Sequence, residues 1–197
     1  MMDKTRKKII ETCIKIARRG EGALVVYGKL SSKAHKPLIK QNVKPFKIET
    51  NPKLFESLAL IDGAVLVNDE GKVYAYGTKI KSTRILKNFG TRHSAGLSAS
   101  AYSGVEVFVV SEEDRKVRIF KNKKLIIQID ALEKGMEKKS SEINNLLESI
   151  GIGTLGTVGT AILAPAIGIS LIPGVIIFGG AYYLIKRIKE SEKKKQI

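Results

Sequence analysis

Three polar residues in a row, Thr91, Arg92 and His93, follow Gly90 where a loop gives way to the small-residue run TRHSAGLSASAYSG. This run predicts a helix capped by Thr91 and closed near Gly104. The first turn of a helix leaves backbone N–H groups without intrahelical partners and carries the positive end of the helix dipole, so it attracts anions. Thr91 can cap the helix or donate its hydroxyl to a phosphate oxygen. Arg92 brings a permanent charge with a fork of donors, and His93 brings one or two donors more. Together they suit a phosphate chain. Without context the same residues also suit a surface ion pair for Arg92 and a packed polar position for His93.

Two other groups could complete such a site. In LIDGAVLV, Asp62 stands between apolar residues at the start of a strand expected to be buried, where an aspartate is rarely left without a partner. A carboxylate there could bind a divalent cation or take a proton from a hydroxyl nucleophile. It could equally cap the preceding loop. Gly63 would let a ligand or another backbone approach closely, and Ala64 adds little bulk. In VVSEEDRK a strand ends on Ser111, Glu112 and Glu113, placing a hydroxyl and two carboxylates at a strand's C-terminal edge. Such edges carry ligand sites in open α/β sheets, although a solvated turn has the same composition.

The elements that would position these groups follow from periodicity. Ile9, Ile10, Cys13, Ile14 and Ala17 make an apolar stripe over residues 3–19, a helix ended by Gly20 and Gly22. ALVVY (Ala23 to Tyr27) follows as a buried strand. Residues 28–50, interrupted by Pro37 and Pro45, fit short extended segments or loop. NPKLFESLAL starts a helix with Asn51 as N-cap and Pro52 at the first helical position. GAVLV, the turn NDEG and KVYAYGTKI make a hairpin, and VEVFVV, KVRIF and KLIIQI are three further strands. The expected fold class is α/β (α+β), a mixed central β-sheet flanked by helices, with a C-terminal hydrophobic helical hairpin.

With 35 Lys+Arg against 19 Asp+Glu the formal net charge is +16, which suits an anionic partner without choosing among nucleotide, nucleic acid and lipid headgroup. A generally lysine-rich composition would give the same balance. Cys13 is the single cysteine, so no intramolecular disulfide can form. The N-terminal MMDKTRKKII lacks the apolar core of a secretory signal. His35 has no motif around it.

The composition changes abruptly after a charged connector. From Gly151 to Ile185 there is no charged residue, while glycines recur and Pro165 and Pro173 fall near the middle. As one helix this run would be ~52 Å long, too long for a ~30 Å hydrocarbon core and too short for two full spans. A hairpin turning at PAIGISLIPG, re-entrant or passing twice, fits both ends lying inside. The alternatives are one tilted span near Ala166 to Ile185 with Tyr182 and Tyr183 at the interface, or a soluble glycine-rich hairpin buried in an oligomer. The tail KRIKESEKKK favours the cytoplasmic side. The expected organisation is a catalytic-type domain over 1–130, a helical connector over 131–150, the hydrophobic hairpin or span over 151–189 and a basic tail over 190–197.

Taken in order, IDGAVLV, GTRH opening a small-residue helix, and VVSEE resemble the catalytic domain of the diadenylate cyclase family. The family's hallmarks are an Asp-Gly-Ala and an Arg-His-Arg triplet. Asp62, Gly63 and Ala64 match the first in full; Arg92 and His93 match the second, with Ser94 in its third place. ARRGEGALVVYG is similar to the family's first helix and strand. The resemblance covers residues 5–130 and implies that two ATP molecules are joined into cyclic di-AMP with release of two pyrophosphates. It also implies a face-to-face homodimer or higher homo-oligomer, each ribose 3′-hydroxyl attacking the other ATP's α-phosphate in line.

By that resemblance Asp62 would activate the 3′-hydroxyl or bind the metal. Gly63, Ala64, Thr91, Arg92, His93, Ser94 and Ser111 would form the ATP site, and Glu113 would be a further metal ligand. Mg²⁺ or Mn²⁺ would neutralise the triphosphate and the leaving pyrophosphate, and oxygen donors agree with a hard cation. Ser94 removes one permanent charge from the pocket, which nearby lysines could replace. That departure keeps a second reading open: a catalytically silent sensor of ATP or cyclic di-AMP signalling through the hydrophobic segment. The expected location is the cell membrane with the catalytic domain cytoplasmic, membrane lipids being partners through the flanking lysines. With aromatics at 6% and no stacking platform, no nucleic-acid partner is expected.

Overall fold

The apolar stripe of the N-terminal segment becomes helix α1 (Lys4–Arg18), and Ile9, Ile10, Cys13, Ile14 and Ala17 are fully buried beneath it. Asp3 caps it, its carboxylate accepting the Arg6 N–H. The computed structural model of the chain describes residues 3–82, 90–152, 169–172 and 175–178. Strands β1 (Ala23–Tyr27), β2 (His35–Pro37) and β3 (Phe46–Lys47) come next, then α2 (Pro52–Ala59), β4 (Ala64–Val67) and β5 (Lys72–Ile80). Helix α3 (Thr91–Ala99) precedes β6 (Glu106–Val110), β7 (Lys116–Lys121) and β8 (Lys124–Asp130). Helix α4 (Ser140–Ile152) and strands β9 (Ile169–Ile172) and β10 (Val175–Phe178) complete the described elements.

All the strands belong to one mixed sheet in the order β2-β5-β4-β1-β6-β7-β8-β10-β9, with β3 also paired to β5. The β1–β4 and β8–β10 pairs are parallel; β1–β6, β6–β7 and β7–β8 are antiparallel. Alternation along each strand divides the core into two layers. Val25, Val65, Phe108, Val110 and Ile119 face α1, α2 and α4. Leu24, Val26, Leu66, Val107 and Val109 face α3, which contributes Leu97 and Ala99. Helices on both faces explain why all of β1 and β6 is buried.

The segment expected to connect the domain to its C-terminal run packs instead as part of the core. Ile143 and Leu147 of α4 are buried with α1, and the Asp3 N–H donates to Glu148 Oε1 at 2.9 Å. Arg6 and Lys121 meet the buried Glu106 carboxylate from two sides, each at 2.7 Å. These contacts join α1, β6 and β7 at the sheet end opposite Val110.

Two expectations are modified. The N-cap of α3 is Gly90, and Thr91 is its first helical residue. As expected, residues 28–50 form only short extended segments, β2 and β3, and one turn of 3₁₀ helix at Ser32–Ala34, with Pro37 as the last paired residue of β2. Of the described parts of the apolar run, Gly151 and Ile152 end α4, while ISLI and VIIF are strands that pair with each other, VIIF also with β8, rather than arms of a helical hairpin. Their β-branched isoleucines and valine favour extended backbone. The rest of the expected hairpin, and the tail, lie outside the described residues. Among the described residues no helix is long and apolar enough to cross a membrane.

Candidate active site

Helix α3 lies close on the sheet because its residues are small. A Cβ added to Gly96 would stand 2.6 Å from Val109 Cγ2, so the helix could not sit at this depth with alanine there. This close seat brings the N-terminus of α3 against the end of β6. Between them lies a cleft of about 250 Å³ lined by Gly90, Thr91, Arg92, His93, Val110, Ser111, Glu112 and Glu113. The first backbone hydrogen bonds to Gly90 come from His93 and Ser94, so the Thr91 and Arg92 N–H groups precede the helical ladder at the mouth of the cleft.

The two side chains that follow have different surroundings. Arg92 is partly exposed and its Nη1 donates to Glu112 Oε2 at 3.1 Å. Gly22 makes room for this pair, since a Cβ there would fall 2.4 Å from Arg92 Nη1. His93 is buried, and Arg118 Nη1 lies 3.0 Å from its Nε2. A guanidinium has donors only, so Nε2 accepts and the neutral ring carries its proton on Nδ1. Burial first, and the Arg118 charge second, push the His93 pKa down to about 4. The structure thus gives Arg92 an ion pair and His93 a packed position, and both residues line the cleft.

Behind His93 stands a polar chain. Arg118 is itself buried, donates through Nε to Gln128 Oε1 at 3.0 Å, and pairs with the Asp114 carboxylate. The Arg118 guanidinium and the Ser111 side chain hold the Asp114 carboxyl below the usual carboxylate range, although burial, the largest influence, opposes them. Arg118, Asp114 and Gln128 were not anticipated from the sequence. The signal was present in KVRIF: Val117 and Ile119 face α1, so alternation sends Arg118 toward α3.

Asp62 is exposed, contrary to the expectation of a buried carboxylate, because burial begins only at Ala64. It nevertheless shares the site's edge of the sheet. Val110 pairs with Ala23 in antiparallel, and Val25 with Val65 in parallel, so the end of β6 and the start of β4 lie at one end of the sheet, with β1 between them. Asp62 lies in the bend that leads into β4, at the same end of the sheet as Ser111 after β6. Gly63 packs against β5: at φ +100° its missing Cβ would lie 2.6 Å from the Thr78 nitrogen, which only glycine tolerates.

Of the remaining expected site residues, Ser111 is buried at the cleft wall and Glu113 is exposed on it. Ala64 is fully buried in the α3-side core, and Ser94 is buried in α3, outside the cleft lining. Among the described residues no three His, Cys, Asp or Glu side chains form a ready metal cage. The carboxylates at this edge are separate oxygen donors, which suits a hard divalent cation carried largely by phosphates.

Residues 10–125 match the protein-family model described as DAC, DisA bacterial checkpoint controller nucleotide-binding. The chain is 31% identical over 144 residues to a diadenylate cyclase of Methanocaldococcus jannaschii, covering 64% of this chain and 46% of that protein. It is 30% identical over 140 residues to a diadenylate cyclase of Haloferax volcanii, covering 63% and 52%. The match thus spans about half the length of these relatives. Among solved structures, a hypothetical membrane spanning protein from Bacillus cereus aligns with TM-score 0.51 and 25% identity over 63% of each chain. DacA from Staphylococcus aureus, as a double mutant, aligns with TM-score 0.50 and 21% identity over 76% of this chain and 97% of that one, a likeness of fold.

Proposed function

We propose, from the premise that this chain belongs to the DAC nucleotide-binding family, that it is a diadenylate cyclase converting two ATP into cyclic di-AMP and two pyrophosphates. The observation that carries this reading is the shared edge: the cleft at the start of α3 and the exposed Asp62 occupy one end of the sheet, two strands apart. In this reading the Thr91 and Arg92 N–H groups, the Thr91 hydroxyl and the Arg92 guanidinium bind the phosphates of one ATP. The Nδ1–H of His93 and the Ser111 hydroxyl add donors at the cleft wall. A negatively charged triphosphate competes with Glu112 for Arg92, and an exposed ion pair of this kind costs only ~0–1 kcal/mol to replace.

Each protomer supplies half of the reaction, in a face-to-face pair. The 3′-oxygen of one ATP bonds to the α-phosphorus of the other, and the bond from that phosphorus to pyrophosphate breaks. The same exchange in the opposite direction closes the ring. Asp62 takes the 3′-hydroxyl proton or helps hold a divalent cation, a role that needs the exposure it has. Mg²⁺ or Mn²⁺, held by the phosphates with Asp62 or Glu113, would spread the charge of the leaving pyrophosphate. Attachment to a membrane through the uncharged C-terminal run, with the catalytic face in the cytoplasm, belongs to the same proposal.

The test incubates the full chain with ATP and Mg²⁺ or Mn²⁺ and identifies products by mass spectrometry. Cyclic di-AMP is expected from the parent. Asp62→Asn should give at least ~100-fold less, the usual loss for a positioned acid–base group. ATP binding without product in either metal would sink the cyclase and leave the sensor.

A further inference from the structure

The family's second triplet lacks its final arginine in this chain, yet the structure has a buried arginine at the same helix turn, reaching it from the opposite side. Ser94 is 7% exposed, so position 94 points into the layer between α3 and the sheet. A long side chain there would project toward the strands. Strand β7 packs on α3 and sends Arg118 into that layer, 6% exposed, with Nη1 at 3.0 Å from Nε2 of the neighbouring His93. A guanidinium buried between helix and sheet needs a counter-charge and satisfied donors. Asp114 and Gln128 provide them here.

We infer that Arg118 stands in for the arginine that Ser94 replaces, acting as a positioning residue that fixes His93 with Nε2 as acceptor and Nδ1–H as donor. The inference rests on the reading of the cleft as an ATP site. Arg118 is absent from the cleft lining, so it acts through His93 and not on the nucleotide. Asp114 follows Ser111 and Glu113 in the turn that forms the opposite wall, so the carboxylate that pairs with Arg118 belongs to the same loop as that wall. Among the described residues, the charged groups that act on His93 include Arg118 from β7, Asp114 from the β6–β7 turn and Arg92 from its own helix.

A reciprocal exchange tests this in the full-length protein. Arg118→Ser removes the guanidinium, and Arg118→Ser with Ser94→Arg returns one to the same layer from the helix side. His93 is one of two histidines, so ¹⁵N NMR resolves its tautomer, with His35→Gln to assign it. The parent should show the Nδ1–H form. Arg118→Ser should lose that single tautomer, titrate at higher pH, and bind ATP about tenfold more weakly, the lower range for loss of an outer supporting partner. The double variant should recover most of both. Arg118→Lys, which keeps a donor, should retain the tautomer, and it decides the case if the serine variant does not fold.

An unchanged His93 tautomer in folded Arg118→Ser, or loss of the tautomer in Arg118→Lys, would overturn the inference. So would a double variant no better than the single one. Failure of the cyclase reading looks different: the parent makes no cyclic di-AMP or binds no ATP. The His93 signature and its rescue still decide the role of Arg118 in that event.

Discussion

At the scale of the residue, the two halves of the Arg-His pair are governed by opposite physics. Arg92 keeps its charge in partial contact with water and holds Glu112 by a bond that solvent screens, so its partner is exchangeable. His93 is neutral because burial disfavours its charged form and Arg118 stands beside it. Its folded pKa of about 4 lies below the ordinary value near 6.5, so protons bind more tightly to the unfolded chain. The neutral ring therefore contributes its full stability above pH ~6.5 and loses it as the pH falls toward 4, up to ~3 kcal/mol. Urea unfolding at pH 7 and pH 4.5 should show this loss in the parent. In His93→Gln the acid-side slope should be visibly shallower, with the carboxylates supplying what remains. Equal slopes in the two proteins would show that His93 is not held neutral.

At the scale of the element, the site depends on how deeply α3 sits on the sheet. Replacing glycine by alanine within a helix ordinarily gains ~1 kcal/mol. At Gly96 the added methyl meets Val109 Cγ2 at 2.6 Å, an overpacking that typically costs ~1–3 kcal/mol. Gly96→Ala should therefore be destabilised by a net ~0–2 kcal/mol and should weaken ATP binding, because lifting the helix opens the cleft. Val109→Ala supplies the missing space, so the double variant should be more stable than the sum of the two singles by ~1 kcal/mol in a thermal or urea cycle. Strict additivity would mean that helix depth is set elsewhere.

The same helix shows what periodicity and residue type could and could not reveal. Its existence, the flanking strands and the polar residues at its start were legible locally, since small residues, apolar alternation and turn residues act within a few positions. Gly90 as cap was not, because Thr91 is an equally good capping type and only the backbone path decides. The exposure of Asp62 was missed for a related reason. Apolar neighbours in sequence suggested burial, whereas the sheet edge falls between Asp62 and Ala64. Arg118 lies beyond any local motif: its partners His93 and Gln128 come from a separate helix and strand.

At the scale of the whole molecule, the fate of the C-terminal apolar run decides how the sheet ends. Strand β8 offers its outer edge to β10, Ile127 pairing with Ile176 and Ile129 with Phe178 in parallel. An apolar strand with an unpaired edge is a template for association, so something has to cover Leu125 to Ile129. The protein's own Val175–Phe178 does so, which places part of the run expected in lipid against the sheet. A chain ending at Ile152 should keep its core, because α1, α4 and the first eight strands supply the two apolar layers. Its β8 amides facing outward should lose hydrogen-exchange protection, and the protein should self-associate in sedimentation at concentrations where the full chain does not. Flotation with vesicles of mixed anionic phospholipid should carry the full chain upward and leave the shortened one behind. Were the shortened chain to keep its β8 protection and float equally well, the run would be neither the cover of that edge nor the membrane anchor. The lysines of the folded domain would then be the lipid-binding element.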